Sequence, residues 1–129
     1  MGWKEGCFQE INALKQDNRL ELPWDFPEEG EMLFSYNCEN IQLGFARVSV
    51  DPIDKTTFWI DEFEVIRDQR KKGIGKKAIG ELVNLIPGDI KIMAKNKMVQ
   101  QFWEKCGFED DGITWMEIPM IYKKTVPAD

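Results

Sequence analysis

Val65-Ile-Arg-Asp-Gln-Arg-Lys-Lys-Gly-Ile-Gly75 joins an apolar strand pattern to a strongly periodic helix, and this junction decides the fold. A helix start leaves its first backbone N–H groups unpaired and carries partial positive charge, so a glycine-bearing loop there lets the backbone close on an anion. Gly73 and Gly75 are placed for that. Six basic residues (Arg67, Arg70, Lys71, Lys72, Lys76, Lys77) stand against Asp68; with this segment at +5 and the chain at −6, the remainder carries −11. Positive charge so concentrated at one helix start points to a polyphosphate ligand. The alternative is a solvated, lysine-rich first turn behind ordinary loop glycines. A Walker loop is excluded, because Gly-Ile-Gly-Lys-Lys lacks the four-residue gap and the Lys-Ser/Thr ending, and a dinucleotide fingerprint lacks its third glycine.

Upstream of the junction, residues 57–66 are rich in β-branched and aromatic side chains and predict a strand. Before it, residues 32–38 and 41–50 flank Glu39-Asn40 and predict an antiparallel β-hairpin. The inward set there begins Ile41, Leu43, Phe45 and shifts to Val48, Val50, which predicts a bulge near Ala46 and Arg47. Residues 22–30 hold two prolines and a glycine and predict a loop whose Trp24 and Phe26 cover the core or line a pocket. Phe8, Ile11 and Leu14 suggest a short helix over residues 7–17.

Downstream, Ile74, Ala78, Ile79, Leu82, Val83 and Ile86 share one helical face, and Pro87-Gly88 ends the helix. Residues 89–94 alternate as a strand, so strand, loop, helix and strand make a βαβ unit with parallel strands. A second helix is expected over residues 98–106, with Val99, Phe102, Trp103 and Cys106 on one stripe and Gly107 as cap. A last strand is expected over residues 114–123, where Pro119 implies a bulge or an edge. The fold class expected is thus α/β, with a mixed sheet, over one domain of residues 1–129.

Composition narrows the function. The chain has no histidine, which removes Ser-His-Asp and Cys-His triads and nearly all common zinc and non-haem iron sites; no metal is expected. Acid–base work falls to carboxylates, tyrosine, cysteine or water. Three scattered cysteines (Cys7, Cys38, Cys106) without a CxxC predict reduced thiols. No long apolar run or leader pattern occurs, so a cytoplasmic protein with no membrane partner is expected. The acidic remainder argues against nucleic acid and suits a cationic small substrate.

The spacing Arg70-x-x-Gly73-x-Gly75 after a strand ending in Val65 resembles the acetyl-CoA-binding signature of the GNAT superfamily of N-acetyltransferases. About 20 residues on, Asn96-Lys-Met-Val-Gln-Gln-Phe-Trp-Glu-Lys-Cys-Gly-Phe108 resembles the second motif of that family. Two motifs in order are far more specific than either alone. The resemblance covers the chain from about residue 31 onward and implies a GNAT-like fold. It implies that backbone groups at Val65 meet the pantetheine arm and that amides of Arg70, Lys71, Lys72, Gly73, Ile74, Gly75 and Lys76 hold the pyrophosphate. Asn96, Phe102 and Trp103 would complete the cofactor side. Asn96 is also a good N-cap. At Trp103 the chain departs from the family, which usually has a tyrosine there that protonates the leaving thiolate. An indole N–H is no usable acid, and Tyr122, Cys106 or solvent are the substitutes available.

An alkylamine with a pKa near ~10.4 must lose a proton before it attacks a thioester, at a cost of roughly 4.6 kcal/mol at pH 7. A carboxylate beside the acceptor can take that proton directly or through water. Asp61, Glu62 and Glu64 are the candidates. The resemblance selects Asp61 and Glu62, which stand three or four positions before Val65, and Glu64 reads as a solvated strand face. Strict alternation puts Asp61 on the face of Val65, with Glu62 and Glu64 opposite. The expected reaction is acetyl transfer from acetyl-CoA to an amine in a ternary complex, by a monomer or homodimer. The alternatives are an acyl-CoA sensor without turnover and an interaction domain whose basic loop meets an acidic partner.

Overall fold

The computed structural model describes residues 1–113 and 116–124. One seven-stranded mixed sheet, in the order β1-β2-β3-β4-β5-β7-β6, runs through the whole of it. The strands are β1 (Gly2–Glu5), β2 (Glu31–Cys38), β3 (Ile41–Val50), β4 (Thr57–Val65), β5 (Asp89–Ala94), β6 (Glu109–Asp110) and β7 (Ile118–Tyr122). Helices α1 (Phe8–Gln16), α2 (Ile74–Leu85) and α3 (Lys97–Lys105) complete the fold. The expected hairpin is β2–β3, and the βαβ unit is β4–α2–β5 with its strands parallel.

Period decides which face each helix covers. Ile79, Leu82 and Val83 of α2 pack with Trp103 of α3 over Ala46, Val48, Ile60, Ile90 and Ile92, while Ala78 packs on Tyr36 and Leu43. Ile11 and Leu14 of α1 cover the opposite face together with Trp24, Leu33, Phe45 and Ile66. The loop aromatics divide: Trp24 is buried, whereas Phe26 is 70% exposed and edges onto Phe8.

Several expectations are corrected. Strand β1 was not foreseen; its Trp3 packs on Tyr36 and Phe63 and donates Nε1–H to the Ala78 carbonyl at 2.8 Å, tying the first strand to α2. Ile41 and Val50 are exposed and not inward, because they lie at strand ends beyond the helix cover. The last strand begins at Ile118; of the residues expected in it, Thr114 and Trp115 lie outside the described ones. Pro119 sits in β7, between β5 and β6, neither at the sheet edge nor at a bulge. Its carbonyl accepts from Asp111 N–H on the β6 side, so its missing N–H faces the place where the two-residue β6 has ended.

The bulge falls at the expected level but on the partner strand. Arg47 faces Glu62 while Val48 faces Ile60, which makes Asp61 the extra residue of β4. Close approach of β3 and β4 then requires Gly44, where a Cβ would lie 2.7 Å from the Glu64 carbonyl oxygen. Gly44→Ala is expected to lower unfolding free energy by about 1–3 kcal/mol through forced separation of the strands, measured by urea denaturation. An unchanged midpoint would refute the close-packing account.

Candidate active site

Strands β4 and β5 pair only through Thr57–Asp89, Phe58–Ile90 and Trp59–Lys91. Beyond that point they part, and a cleft of about 310 Å³ opens between them, lined by Ile60, Asp61, Glu62 and Phe63 of β4, Ile92 and Met93 of β5, and Leu22, Pro23, Lys95, Val99 and Trp103. A second groove of about 370 Å³ lies at the C-terminal end of β4, bordered by Val65, Arg70, Lys71, Gly73, Ile74, Gly75, Lys76 and Phe102. Stacked Phe63 and Phe102, with ring centroids 6.2 Å apart, stand where the two meet.

The β4 backbone is open along this line. Ile66 N–H donates to the Leu43 carbonyl at 2.9 Å, so Leu43 and Ile66 form a hydrogen-bonded pair. The neighbouring Gly44–Val65 pair is therefore the non-bonded kind, and Val65 N–H and C=O point away from β3 toward the opening. Arg70 Nε already donates to the Val65 carbonyl at 2.9 Å, so one of its two acceptor positions is taken from within.

The basic loop curls tightly. Lys71 (φ 64) and Gly73 (φ 72) are both left-handed, the kind of curl that aims successive backbone N–H groups to one side. A Cβ on Gly73 would meet nothing within 4 Å, so the space before it is open. At Gly75 it would lie 3.1 Å from the Phe102 ring, so any larger residue there makes the ring shift by a few tenths of an ångström. Of the residues expected on the cofactor side, Lys72 stands off the groove, with Nζ 3.3 Å from Gln69 Oε1. Asn96 is the N-cap of α3, its Oδ1 accepting from Val99 N–H at 2.9 Å, and it borders neither groove. Trp103, 7% exposed, lines the cleft with the two acids and packs edge-on against Phe63, Phe102 and Phe108. Tyr122 and Cys106 line neither opening.

Asp61 and Glu62 come together with a residue that the sequence reading missed. The bulge takes Asp61 off the Val65 face expected from strict alternation, and its Oδ2 accepts from Ser49 Oγ at 2.6 Å. Glu62 Oε1 lies 3.3 Å from Nε of Arg47, and its other oxygen is enclosed without a hydrogen-bond donor among the described residues. Arg47, 3% exposed, also reaches Glu31 at 3.0 Å and Asp25 at 2.9 Å and lies over the Trp24 ring at 5.8 Å. Burial raises the Asp61 carboxyl above its ordinary range, helped by Glu31, while the Ser49 hydrogen bond and Arg47 oppose it. Burial raises Glu62 likewise, with Arg47 opposing and Asp25, Asp61 and Glu31 assisting. An arginine inside the apolar run Leu43-Gly-Phe-Ala-Arg47-Val, at the point where a bulge was expected, was the available signal that acids must gather opposite.

Glu64 corrects the sequence reading too. It is no solvated strand face but 6% exposed, and it accepts hydrogen bonds from Glu21 N–H, Leu22 N–H, Trp24 Nε1 and Arg70 Nη2. Arg47→Met is expected to cost about 3–5 kcal/mol at neutral pH, since it strands carboxylates around a buried site. Without the cation the native carboxyls rise further above their unfolded values, so the folded state binds the extra protons and the deficit shrinks as pH falls toward the ordinary carboxylate range. Urea denaturation at pH 7.5 and 5 checks this; a pH-independent deficit would contradict it.

Comparison with known proteins follows the same lines. An aminoglycoside acetyltransferase, AAC(6')-Ib, solved with coenzyme A and kanamycin, superposes with a TM-score of 0.75 at 15% identity over 95% of this chain and 94% of that one. A Bacillus subtilis acetyltransferase solved with CoA gives 0.66 at 18% identity over 96% and 99%. The PaiA N-acetyltransferase of Thermoplasma acidophilum, with coenzyme A, gives 0.61 at 13% over 90% and 69%. No curated protein matches the chain significantly by sequence. The acetyltransferase (GNAT) family model matches residues 3–108, which takes in β1, the parted strands, the basic loop and α3, and the chain belongs to the GNAT acetyltransferase family.

Proposed function

We propose that this protein transfers the acetyl group of acetyl-CoA to a primary amine, with both bound at once. One observation carries the reading: a groove under a basic, amide-rich loop meets an acid-lined cleft at the open backbone edge of β4. The pyrophosphate lies on the backbone amides of residues 70–76, and the pantetheine arm runs along the β4 edge past Val65 toward Phe63. The acceptor enters on the acidic side as an ammonium, attracted by Asp25, Glu31, Asp61 and Glu62. Asp61 or Glu62 takes one proton, the freed nitrogen attacks the thioester carbonyl, and as the C–S bond breaks the nitrogen gives its second proton to solvent or the departing thiolate, leaving a neutral amide and CoA. Lys72 contributes its backbone amide to this run, while its side chain stands off the groove with Nζ on Gln69 Oε1 and adds only longer-range attraction. A CoA-binding domain without turnover is the second reading, favoured by an indole at Trp103 where the family usually has a phenol.

Two experiments separate the readings. Saturating CoA at 100 times its Kd is expected to stabilise the protein by about 2.7 kcal/mol, seen as a thermal shift. In Gly73→Leu the shift should largely vanish, because the side chain starts into the open space before the loop, where a Cβ meets nothing within 4 Å. The left-handed backbone there (φ 72) costs about 1–2 kcal/mol of stability, so folding is checked by circular dichroism. Full CoA affinity in a folded Gly73→Leu would reject the loop assignment.

Turnover is read by thiol release from acetyl-CoA over a panel of amines. Asp61→Asn or Glu62→Gln is expected to lower kcat/KM by on the order of 10²- to 10⁴-fold with CoA affinity intact. The acidic limb of the wild-type profile should lie above the ordinary carboxyl value of about 4, because burial raises both groups. CoA binding without turnover of any amine would favour the second reading.

A further inference from the structure

Glu64 lies on β4 between the two halves of the site and opens into neither. Its carboxylate receives four donors: Glu21 N–H at 2.6 Å, Leu22 N–H at 3.0 Å, Trp24 Nε1 at 2.9 Å and Arg70 Nη2 at 2.7 Å. Four donors fill the usual acceptor sites of one carboxylate. Three come from the segment of residues 21–24, whose Leu22 and Pro23 wall the acidic cleft, and the fourth comes from the basic loop. Arg70 in turn holds the Val65 carbonyl at the β4 edge. Outside this buried centre the same two segments are tied again: Arg67 and Arg70 to Glu21 at 2.6 and 3.3 Å, Arg19 to Asp68 at 3.0 Å, and Arg67 N–H to the Arg19 carbonyl at 2.9 Å.

We propose that Glu64 is a positioning residue that couples the basic loop to the acceptor wall, so that CoA, by fixing Arg70, also stiffens residues 21–24 before the amine binds. The inference rests on the acetyl-CoA reading above. Its physical basis is that one saturated carboxylate cannot relax toward one set of donors without loosening its hold on the other. Ordering the loop therefore lowers the freedom of the segment at no further contact, which is coupling through shared order. The surrounding ion pairs are exposed and individually weak, and the Arg67–Arg19 backbone bond lies at the edge of the segment, so the buried carboxylate is the strongest tie between the loop and residues 21–24.

Amide hydrogen exchange of the full chain, with and without saturating coenzyme A, tests this. In the wild type, CoA is expected to slow exchange at the Glu21 and Leu22 amides about tenfold, although neither residue borders the CoA groove. Glu64→Gln keeps the shape but turns one acceptor oxygen into a donor facing donors. Glu64→Asp keeps the charge, but a side chain one methylene shorter cannot reach the residue 21–24 donors and Arg70 at once. In either variant, CoA should still protect the amides around Gly73 while the Glu21 and Leu22 amides stop responding. A purely structural Glu64 would speed exchange with and without CoA alike and leave the response intact, and that result in the variants overturns the proposal. So does a wild type that binds CoA by calorimetric titration without protecting Glu21 and Leu22, which leaves the transferase reading standing. Failure of the wild type to bind CoA at all removes both.

Discussion

The parting of β4 from β5 after three paired residues is the constraint on which the site depends. A sheet interior that opens in this way exposes backbone donors and acceptors that would otherwise be paired, and such groups need partners. Arg70 supplies one to the Val65 carbonyl, and the remaining edge is left for a ligand. The bulge at Asp61 lies where the divergence begins. It re-aims one carboxylate toward Ser49 without disturbing Ile60 and Phe63, which stay on the α2 face. Opening and bulge together make a cleft that has backbone on one wall and acids on another.

Charge is sorted along the same line. The segment from Arg67 to Lys77 carries +5 in a chain of −6, and the far side of the opening gathers Asp25, Glu31, Asp61 and Glu62 around the single guanidinium of Arg47. At physiological ionic strength the screening length is about 8 Å, so a ligand at either end feels chiefly the nearer field. On the proposed function this sorting favours a polyanion at one end of the opening and a cation at the other, with Lys95 a lone base on the cleft wall. Arg47 keeps the acidic end foldable, because it compensates carboxylates that the strand geometry has already brought together. It also holds the loop through Trp24 and Asp25, so the same cation shapes the wall.

What was legible in the sequence was whatever period and local chemistry encode. The α2 stripe, the β5 alternation, the hairpin and the βαβ crossover were all readable, because apolar spacing fixes them within one element. The Asn96 cap was readable for the same reason: donor and acceptor are three residues apart. Glu64 was misread because its partners Leu22 and Trp24 stand 42 and 40 residues earlier, and alternation shows only that a side chain leaves one face, not what awaits it there. Arg47 was passed over for a like reason. The bulge was detected from the shift in the β3 pattern, yet the extra residue belongs to β4, and pattern alone cannot say which strand of a pair carries it. Strand β1 is four residues with a single aromatic, too short for any period to show.

The proton balance of the proposed transfer bears on Trp103. The ammonium gives up a proton at a pKa near ~10.4, and the departing thiol has one near ~8.5, so both exceed any carboxyl in the cleft. Passing the proton from amine to carboxylate is uphill, and passing it on from carboxylic acid to thiolate is downhill. Each unit by which burial raises Asp61 or Glu62 makes the first step about 1.4 kcal/mol less uphill and leaves the second favourable. One carboxyl can therefore serve both ends of the reaction, directly or through water. Cys106, raised to about 11 by burial, would be a weaker acid than the carboxyl and lies off the cleft. On the proposed mechanism an indole at Trp103 would cost the reaction little, because the proton that the family's phenol would supply would already be in the cleft, on the group that removed it from the amine.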